Sequence, residues 1–343
     1  MNGDNESLLA AKKKAEQLMQ LPGVSGIGIK KKVNPGESIR VYVEKRTREL
    51  DNILPRKIDS HEIEVVETGR FEFMQMQLMY ELGRTGRNRP APGGVSIGHY
   101  TITAGTLGSR VYDAATGRRL ILSNNHVLAA AAGINNIARV GDAILQPGAY
   151  DGGTLDDKIA ALTRWIPYNR FGNNIVDCAV ATPLNDADLS DEIMEIGVPG
   201  SQINTDVYED MDVMKSGRTT GVKSGKILDT DVSMKVYLDD TNYLQFEDQI
   251  ITQNIGSPGD SGSLVMDVNH APIGLLFAGS TDFTAVNKIL PVCQKLGINF
   301  GEPVAQPPIQ AGSWILFAAA LGIPVGYLLF RKNKGGSSAP FKL

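Results

Sequence analysis

The sequence is poor in cysteine and has no block of like charges. Only Cys178 and Cys293 occur in 343 residues, so no framework of several disulfides is available, and this thiol content is typical of a reducing compartment. The 34 basic and 38 acidic residues give a formal net charge of -4. Because no run of Lys and Arg is long enough to neutralise successive phosphates, we do not expect a nucleic-acid partner.

The N-terminus lacks the basic start and apolar run of a secretory signal. An uncharged apolar stretch occurs near the other end, at residues 313–330, and the basic tail 331–343 follows it. At a rise of about 1.5 Å per residue, this stretch predicts a helix of roughly 27 Å, long enough for a thin bilayer. We expect a C-terminal membrane anchor with the rest of the chain in the cytoplasm. The opposite orientation, which the basic tail favours, and a buried C-terminal helix remain open.

The composition, 42% apolar and 21% charged, is typical of a folded chain with one large or two ordinary domains. Residues 1–85 combine an amphipathic helix with three alternating segments, which predicts a small α+β domain. The Gly-, Arg- and Pro-rich residues 86–94 are typical of a linker, and residues 301–312 of a second one. Between them, residues 95–300 consist of short apolar segments broken by turn residues, which predicts a mainly β barrel or sandwich.

A glycine-flanked serine gives the strongest local signal for chemistry. Residues 257–265 read Ser-Pro-Gly-Asp-Ser-Gly-Ser-Leu-Val, a tight turn that leads into an apolar strand and holds Ser261 outward as a candidate nucleophile. Gly259 leaves room for a substrate carbonyl, so the backbone N–H groups of Gly259 and Ser261 are candidates for an oxyanion hole. A Gly-Asp-Ser-Gly tetrapeptide is also ordinary turn chemistry, and the partners of Ser261 therefore decide its interpretation.

Two further polar residues stand beside or within apolar segments. His126 comes directly after the segment Leu120–Leu122 and its polar cap, and Asp177 is embedded in the apolar run Ile175–Ala181. A buried carboxylate is unfavourable unless a partner satisfies its charge, and an imidazole N–H is a suitable partner. The sequence therefore predicts a catalytic set of His126 as base, Asp177 as its orienting group and Ser261 as nucleophile.

The order and spacing of these three residues resemble the chymotrypsin-like serine proteases. The segment Gly217–Gly221 resembles a hairpin of the bacterial streptogrisin and α-lytic group, and Pro272–Ser280 resembles the strand along which substrate pairs. The resemblance covers residues 95–300 and implies a double six-stranded β-barrel. It also implies a serine endopeptidase that acts on a protein substrate through an acyl-enzyme, without a metal or another cofactor.

The same resemblance assigns substrate contacts to Ile255, Phe277 and Gly279. Ile255 stands six residues before Ser261, where trypsin-like members carry an acidic residue, so cleavage after an apolar or small residue is expected. Phe277 stands where the family usually has a serine that helps hold the catalytic aspartate. No activation sequence that would supply a new N-terminus to Asp260 is visible, and we expect regulation through residues 1–85 or a partner bound there.

The sequence leaves two other functional hypotheses open. One is a protease fold without activity that serves as a binding scaffold, which Phe277 favours. The other is a membrane-tethered, regulated protease with one specific protein substrate. We interpret Cys178, beside Asp177, and Cys293 as buried apolar residues and not as nucleophiles.

Overall fold

Antiparallel strands make up most of the structure. The computed structural model describes residues 2–30, 38–73, 83–131, 133–134 and 137–302. Three groups of elements follow each other along the chain: an N-terminal layer, a first barrel and a second barrel. This agrees with the predicted mainly β fold.

The N-terminal layer consists of two helices and a small sheet. Its elements are α1 (Asn2–Ala15), β1 (Val24–Lys30), β2 (Ser38–Val43), α2 (Arg48–Ile53), β3 (Lys57–Ile58), β4 (His61–Glu67) and β5 (Glu72–Phe73). Helix α1 buries Leu8, Ala11 and Ala15, which recur every three or four residues and pack against the inner faces of β1 and β2. Burial of a leucine such as Leu8 contributes up to roughly 1.5–3 kcal/mol, and each alanine contributes less.

The first barrel and its flanking strands occupy residues 91–193. The elements are β6 (Ala91–Gly93), β7 (Ser96–His99), β8 (Gly105–Thr106), β9 (Ser109–Asp113), β10 (Arg119–Ser123), α3 (Asn125–Leu128), β11 (Ala143–Leu145), β12 (Lys158–Trp165), β13 (Asn173–Asn174), β14 (Ala179–Pro183) and β15 (Leu189–Ile193). Strands β9, β10, β14, β12, β11 and β7 pair in this order, and β7 pairs with β8. Because β8 and β9 are two parts of one interrupted strand, the ring closes with six strands.

The second barrel follows from residue 212 onward. Its elements are β16 (Asp212–Gly217), β17 (Gly221–Tyr237), β18 (Tyr243–Gln253), β19 (Leu264–Asp267), β20 (Pro272–Gly279) and β21 (Phe283–Lys288), followed by α4 (Ile289–Leu296) and β22 (Ile298–Asn299). Strands β16, β17, β18, β21, β20 and β19 pair in this order, and β19 closes the ring on β16. The pairing order is the same as in the first barrel, so the chain contains two six-stranded barrels, as predicted.

An apolar core also lies between the two barrels. It joins Leu120 and Val180 of the first barrel to Leu264 and Leu275 of the second, and helix α4 contributes Val292. After α4, strand β22 returns to pair with β9 of the first barrel. This apolar contact and the returning strand hold the two barrels together where their loops meet.

The N-terminal sheet continues directly into the second barrel. Strand β1 pairs with β17 through Gly26 and Met234, and β5 pairs with both β17 and β20. The predicted linker is also ordered, since β6 within it pairs with β15 and the nearby Arg84 is buried. The predicted domain ranges 1–85, 86–94 and 95–300 stay predictions. Strands within residues 1–85 are hydrogen-bonded to strands within residues 95–300.

The predicted C-terminal segments lie almost entirely outside the described residues. This applies to the linker 301–312 beyond Glu302, to the predicted membrane helix 313–330 and to the tail 331–343. In the part of the chain that the structure describes, no helix is long and apolar enough to cross a membrane. The membrane anchor therefore stays a prediction.

Candidate active site

His126 and Asp177 meet at one end of the first barrel. His126 lies in the single-turn helix α3, just after β10, and Asp177 lies two residues before the start of β14, which pairs with β10. The Nδ1 atom of His126 is 2.5 Å from Oδ2 of Asp177, and the backbone N–H of His126 donates to Oδ1 at 3.3 Å. Because a carboxylate only accepts hydrogen bonds, Nδ1 is the donor in this bond, and Nε2 is the ring atom suited to act as a base.

Neutral amides hold the backbone of the fully buried Asp177. Its N–H donates to Oδ1 of Asn287 at 2.9 Å, and the side-chain N–H of Asn124 donates to its carbonyl at 2.7 Å. Asn287 in turn donates to Oε1 of Gln249 at 2.7 Å, so its amide orientation is fixed from the second barrel. The carboxylate is thereby aimed at His126 by groups from both barrels.

Tyr168 is a further neighbour of Asp177. Burial, with the adjacent negative charge of Asp177 as the second cause, raises the pKa of the Tyr168 hydroxyl well above its usual value. Its ring meets Phe246 edge-on at 6.1 Å between centroids, and Phe246 packs against Phe277 at 4.8 Å. The hydroxyl of Tyr168 thus lies beside the carboxylate, while Phe277 fills the apolar side of the cluster.

Ser261 lies on the loop between β18 and β19 of the second barrel. Its Oγ donates to the carbonyl of Phe277 at 3.3 Å, and its own carbonyl accepts from the N–H of Thr106 at 2.8 Å. Gly105 permits this approach: a Cβ there would lie 2.5 Å from the side chain of Val127 and 3.0 Å from the carbonyl of Ser261. Since Val127 follows His126, Gly105 brings the histidine helix and the serine loop together.

The loop leaves two backbone donors available beside Ser261. Gly259 has a φ of +97°, a value that a residue with a side chain rarely adopts. Among the described residues, the N–H groups of Gly259 and Ser261 have no hydrogen-bond acceptor. Two unpaired N–H groups on one tight loop are suited to bind a developing oxyanion.

Two threonines fix the peptide groups on both sides of Gly259. Thr219 Oγ1 donates to the carbonyl of Pro258 at 2.8 Å, and Thr106 Oγ1 donates to the carbonyl of Gly259 at 2.8 Å. Because a peptide group is planar and trans, holding the Pro258 carbonyl turns the N–H of Gly259 to the opposite side. Thr219 and Thr106 are positioning residues that the sequence analysis missed.

A buried ion pair supports the loop from within the second barrel. Lys215 Nζ lies 2.9 Å from Oδ2 of Asp260, and both side chains are 0% exposed. Burial lowers the pKa of Lys215, against the opposing effect of Asp260. Asp260 also accepts from the N–H groups of Ser257, Thr219 and Thr220, which satisfies its remaining lone pairs. An internal lysine therefore occupies the position of cation partner for Asp260.

The three predicted substrate contacts lie in different surroundings. Gly279 lines a cavity of about 710 Å³ together with Gly256, Ser257 and Pro258. Ile255 is 1% exposed and packs in the core of the second barrel, because its side chain points toward β17 at Gly225. Phe277 contacts Ser261 through its backbone carbonyl, which accepts the hydrogen bond from Ser261 Oγ. The substrate-binding roles of Ile255, Phe277 and Gly279 stay predictions.

Both cysteines are buried. Burial raises the pKa of Cys178 well above its usual value and that of Cys293 to about 12. Neither thiol is thereby activated as a thiolate. Within the described part of the chain, no cluster of three His, Cys, Asp or Glu side chains could hold a metal ion.

Two closed barrels of one pairing order, with a His–Asp pair on one and a glycine-flanked serine on the other, have the architecture of the chymotrypsin-like serine proteases. Neither a family model nor a curated protein matches the sequence. The similar solved structures are bacterial proteases of this class. They include Cellulomonas bogoriensis chymotrypsin, with 18% identity, 62% of this chain and 98% of that chain covered, and a TM-score of 0.43.

Two further structures have comparable values. Nocardiopsis protease is 17% identical over 61% of this chain and 97% of its own, with a TM-score of 0.44. The α-lytic protease homolog N4 is 15% identical over 62% of this chain and 99% of its own, with a TM-score of 0.45. Because these TM-scores are below 0.5, the two-barrel assignment rests on the strand pairing of this chain itself.

Proposed function

We propose that this chain is a serine endopeptidase in which His126, Asp177 and Ser261 act as the catalytic triad. The observations that support the proposal are the Asp177–His126 hydrogen bond, the bond from Thr106 N–H of the first barrel to the Ser261 carbonyl, and the two available N–H donors of the Ser261 loop. No single feature would suffice, since each also occurs in structural roles.

The proposed reaction proceeds through an acyl-enzyme. Ser261 Oγ attacks the carbonyl carbon of the scissile peptide, and His126 Nε2 takes the hydroxyl proton. The N–H groups of Gly259 and Ser261 stabilise the resulting oxyanion, a contribution of roughly 3 kcal/mol for each donor. His126 then gives its proton to the leaving amine. Water, deprotonated by His126, then attacks the ester carbonyl; the acyl part leaves as a carboxylic acid, and His126 returns the proton to Ser261 Oγ.

Lys215 and Tyr168 support this proposal, because they can replace two features that the sequence lacks: an activation sequence and a serine at the position of Phe277. The buried cation of Lys215 would hold Asp260 without a newly cut N-terminus, so the oxyanion loop would be formed in the intact chain. Tyr168 would hold the Asp177 carboxylate where Phe277 cannot. We also retain, as proposals, cleavage after an apolar or small residue, anchoring in a membrane through residues 313–330 with a cytoplasmic protease domain, and a specific protein substrate.

A fluorophosphonate probe tests the proposal, because it labels a serine only when the base and oxyanion hole activate it. We expect labelling of the full-length wild type, and its complete loss in Ser261→Ala and in His126→Ala. Ser224→Ala is the matched control, since this serine of β17 is exposed. Labelling that persists in folded Ser261→Ala, or that is absent from the folded wild type, would contradict the proposal.

A second candidate function is a binding scaffold without hydrolytic activity. The observation that favours it is the hydrogen bond from Ser261 Oγ to the carbonyl of Phe277, which directs the hydroxyl proton away from His126. An absence of labelling, together with retained binding of an extended peptide, would support this alternative.

A further inference from the structure

Strand β5 of the N-terminal layer lies along the edge of β20, close to Ser261. Glu72 pairs with Gly279 and Phe73 with Ala278 in an antiparallel register. The carbonyl of the next residue along β20, Phe277, accepts the hydrogen bond from Ser261 Oγ at 3.3 Å. The two-residue strand therefore ends directly beside Phe277, whose carbonyl is bonded to Ser261.

The direction of β5 matches that of the acyl part of a substrate. From Phe71 to Phe73, its chain runs along β20 from Gly279 toward Phe277, and so toward Ser261. The residues before a scissile bond must run toward the nucleophile in the same sense, because their last carbonyl is the one attacked. An extended peptide that adds to a strand edge binds through its main chain, which is how β5 is bound.

The backbone of Glu72 faces β20. The carbonyl of Phe71 accepts from the N–H of Tyr237 on β17 at 3.0 Å, so Phe71 pairs with β17. Since successive residues of a strand direct their backbone groups to opposite sides, the N–H and carbonyl of Glu72 are directed to Gly279. The main-chain groups of Gly279 that would pair with an incoming peptide are thus already used.

The side chains of the two residues before Glu72 hold the segment in place. Phe71 is 0% exposed and lies in one apolar cluster with Phe277 and Ala278, whereas Glu72 is exposed beside the cavity. Arg70 stacks on Tyr237 at 3.6 Å and donates to the carbonyl of Asp240 at 2.7 Å. Phe71 thus points inward and Glu72 outward, as successive residues would in a peptide bound to this edge.

We propose that residues 71–73 occupy the substrate-binding edge of β20 as an intramolecular ligand, and that an extended peptide must displace them before cleavage. This inference rests on the proposed function, because it treats β20 as the substrate edge of that active site. The segment acts as a competitive inhibitor of long peptides, while small esters that do not reach Gly279 enter freely. Release of β5 by a partner of the N-terminal layer would then open the site.

Glu72→Pro is the sharpest test, because it removes the N–H that pairs with Gly279 and leaves the bond from Tyr237 to Phe71 intact. Glu72→Ala is the matched control, since it changes only the exposed side chain. Arg70→Ala provides a second variant that loosens the segment from outside the strand. Each full-length variant is assayed with a small acetylated amino-acid ester and with a tetrapeptide amide.

We expect Glu72→Pro to raise kcat/KM for the tetrapeptide about tenfold, with a smaller rise for Arg70→Ala and none for Glu72→Ala. Hydrolysis of the small ester should be unchanged in all three. An unchanged or lower rate with the tetrapeptide in Glu72→Pro would overturn the inference, because β5 would then be a permanent wall of the site. Self-cleavage between residues 73 and 83, absent in Ser261→Ala, would make the segment a substrate and would also overturn it.

A binding measurement separates this inference from the proposed function. In the Ser261→Ala background, fluorescence anisotropy with a labelled peptide of residues 68–75 needs no turnover. The peptide should bind about tenfold more tightly when Glu72→Pro is added than when Glu72→Ala is added. Equal affinities would contradict the inference, whereas absence of ester hydrolysis in the wild type would contradict only the proposed function.

Discussion

The two barrels share one pairing order but differ in the length of their strands. The longest strand of the first barrel, β12, has 8 residues, whereas β17 and β18 of the second have 17 and 11. The ring of six strands needs only part of this length. The remainder of β17 offers a backbone edge on which β1 and β5 pair, so the N-terminal layer is attached to the second barrel.

The barrels also support their candidate catalytic residues by different means. Neutral amides and a tyrosine surround Asp177 at the first barrel, whereas a buried ion pair, Lys215–Asp260, lies under Ser261 in the second. A buried pair is sensitive to the loss of one partner, because the other charge is then left without compensation. Loss of one neutral hydrogen bond has a smaller effect. The comparison teaches that the two halves of one site should respond very differently to mutation.

The largest effect is expected from Lys215→Met, which leaves the buried carboxylate of Asp260 without its cation. We expect a loss of roughly 3–5 kcal/mol in the free energy of unfolding and loss of fluorophosphonate labelling. Urea unfolding and labelling kinetics measure the two. Lys223→Met is the control, because Lys223 pairs with Lys215 across β16 and β17 but is exposed. A change of less than 1 kcal/mol in Lys215→Met would show that the two barrels do not differ in this respect.

The next effect concerns the long strand β17 beneath the N-terminal layer. Burial, opposed by hydrogen bonds from Asp231 N–H and the Tyr42 hydroxyl and by nearby Arg40, raises the pKa of Asp229 to about 6. The native state then binds a proton more tightly than the unfolded state does. Stability should therefore fall as the pH rises from about 4 to about 6, by roughly 3 kcal/mol in total.

Asp229→Asn should abolish this fall, which urea titrations between pH 4 and pH 7 would measure. The exposed Asp212 provides the control variant Asp212→Asn, whose pH profile should follow that of the wild type. If the stability of Asp229→Asn falls with pH as steeply as that of the wild type, Asp229 is not the cause of the fall.

The smallest effect is expected at the first barrel, where Tyr168→Phe removes the hydroxyl beside Asp177. We expect kcat to fall about fivefold to tenfold with little change in KM, because the hydroxyl positions the aspartate and does not touch substrate. Tyr112→Phe, which removes a hydroxyl bonded to Glu302 at 3.0 Å, should leave kcat unchanged. If Tyr168→Phe retains full kcat, the amides alone hold Asp177.

The candidate site could be predicted from the sequence where its signals are local. The turn at 257–262, the glycine at 259 and the carboxylate in an apolar strand at 177 are each contained in a few neighbouring residues. The supporting residues carried no such signal. In the sequence, Lys215 is an ordinary lysine of a strand, and its role depends on Asp260, 45 residues away. Tyr168 is an ordinary aromatic residue, and its role depends on Asp177, which follows an intervening loop.

The sequence by itself determined the mainly β class, the turn that presents Ser261 and the identity of His126 and Asp177 as its candidate partners, because alternation and turn chemistry act over a few residues. Only the tertiary structure decided that the N-terminal sheet joins the second barrel, that Lys215 compensates Asp260 and that β5 lies on the edge of β20. Strand pairing over long separations leaves no local pattern, since any exposed edge can accept any extended segment whose register suits it.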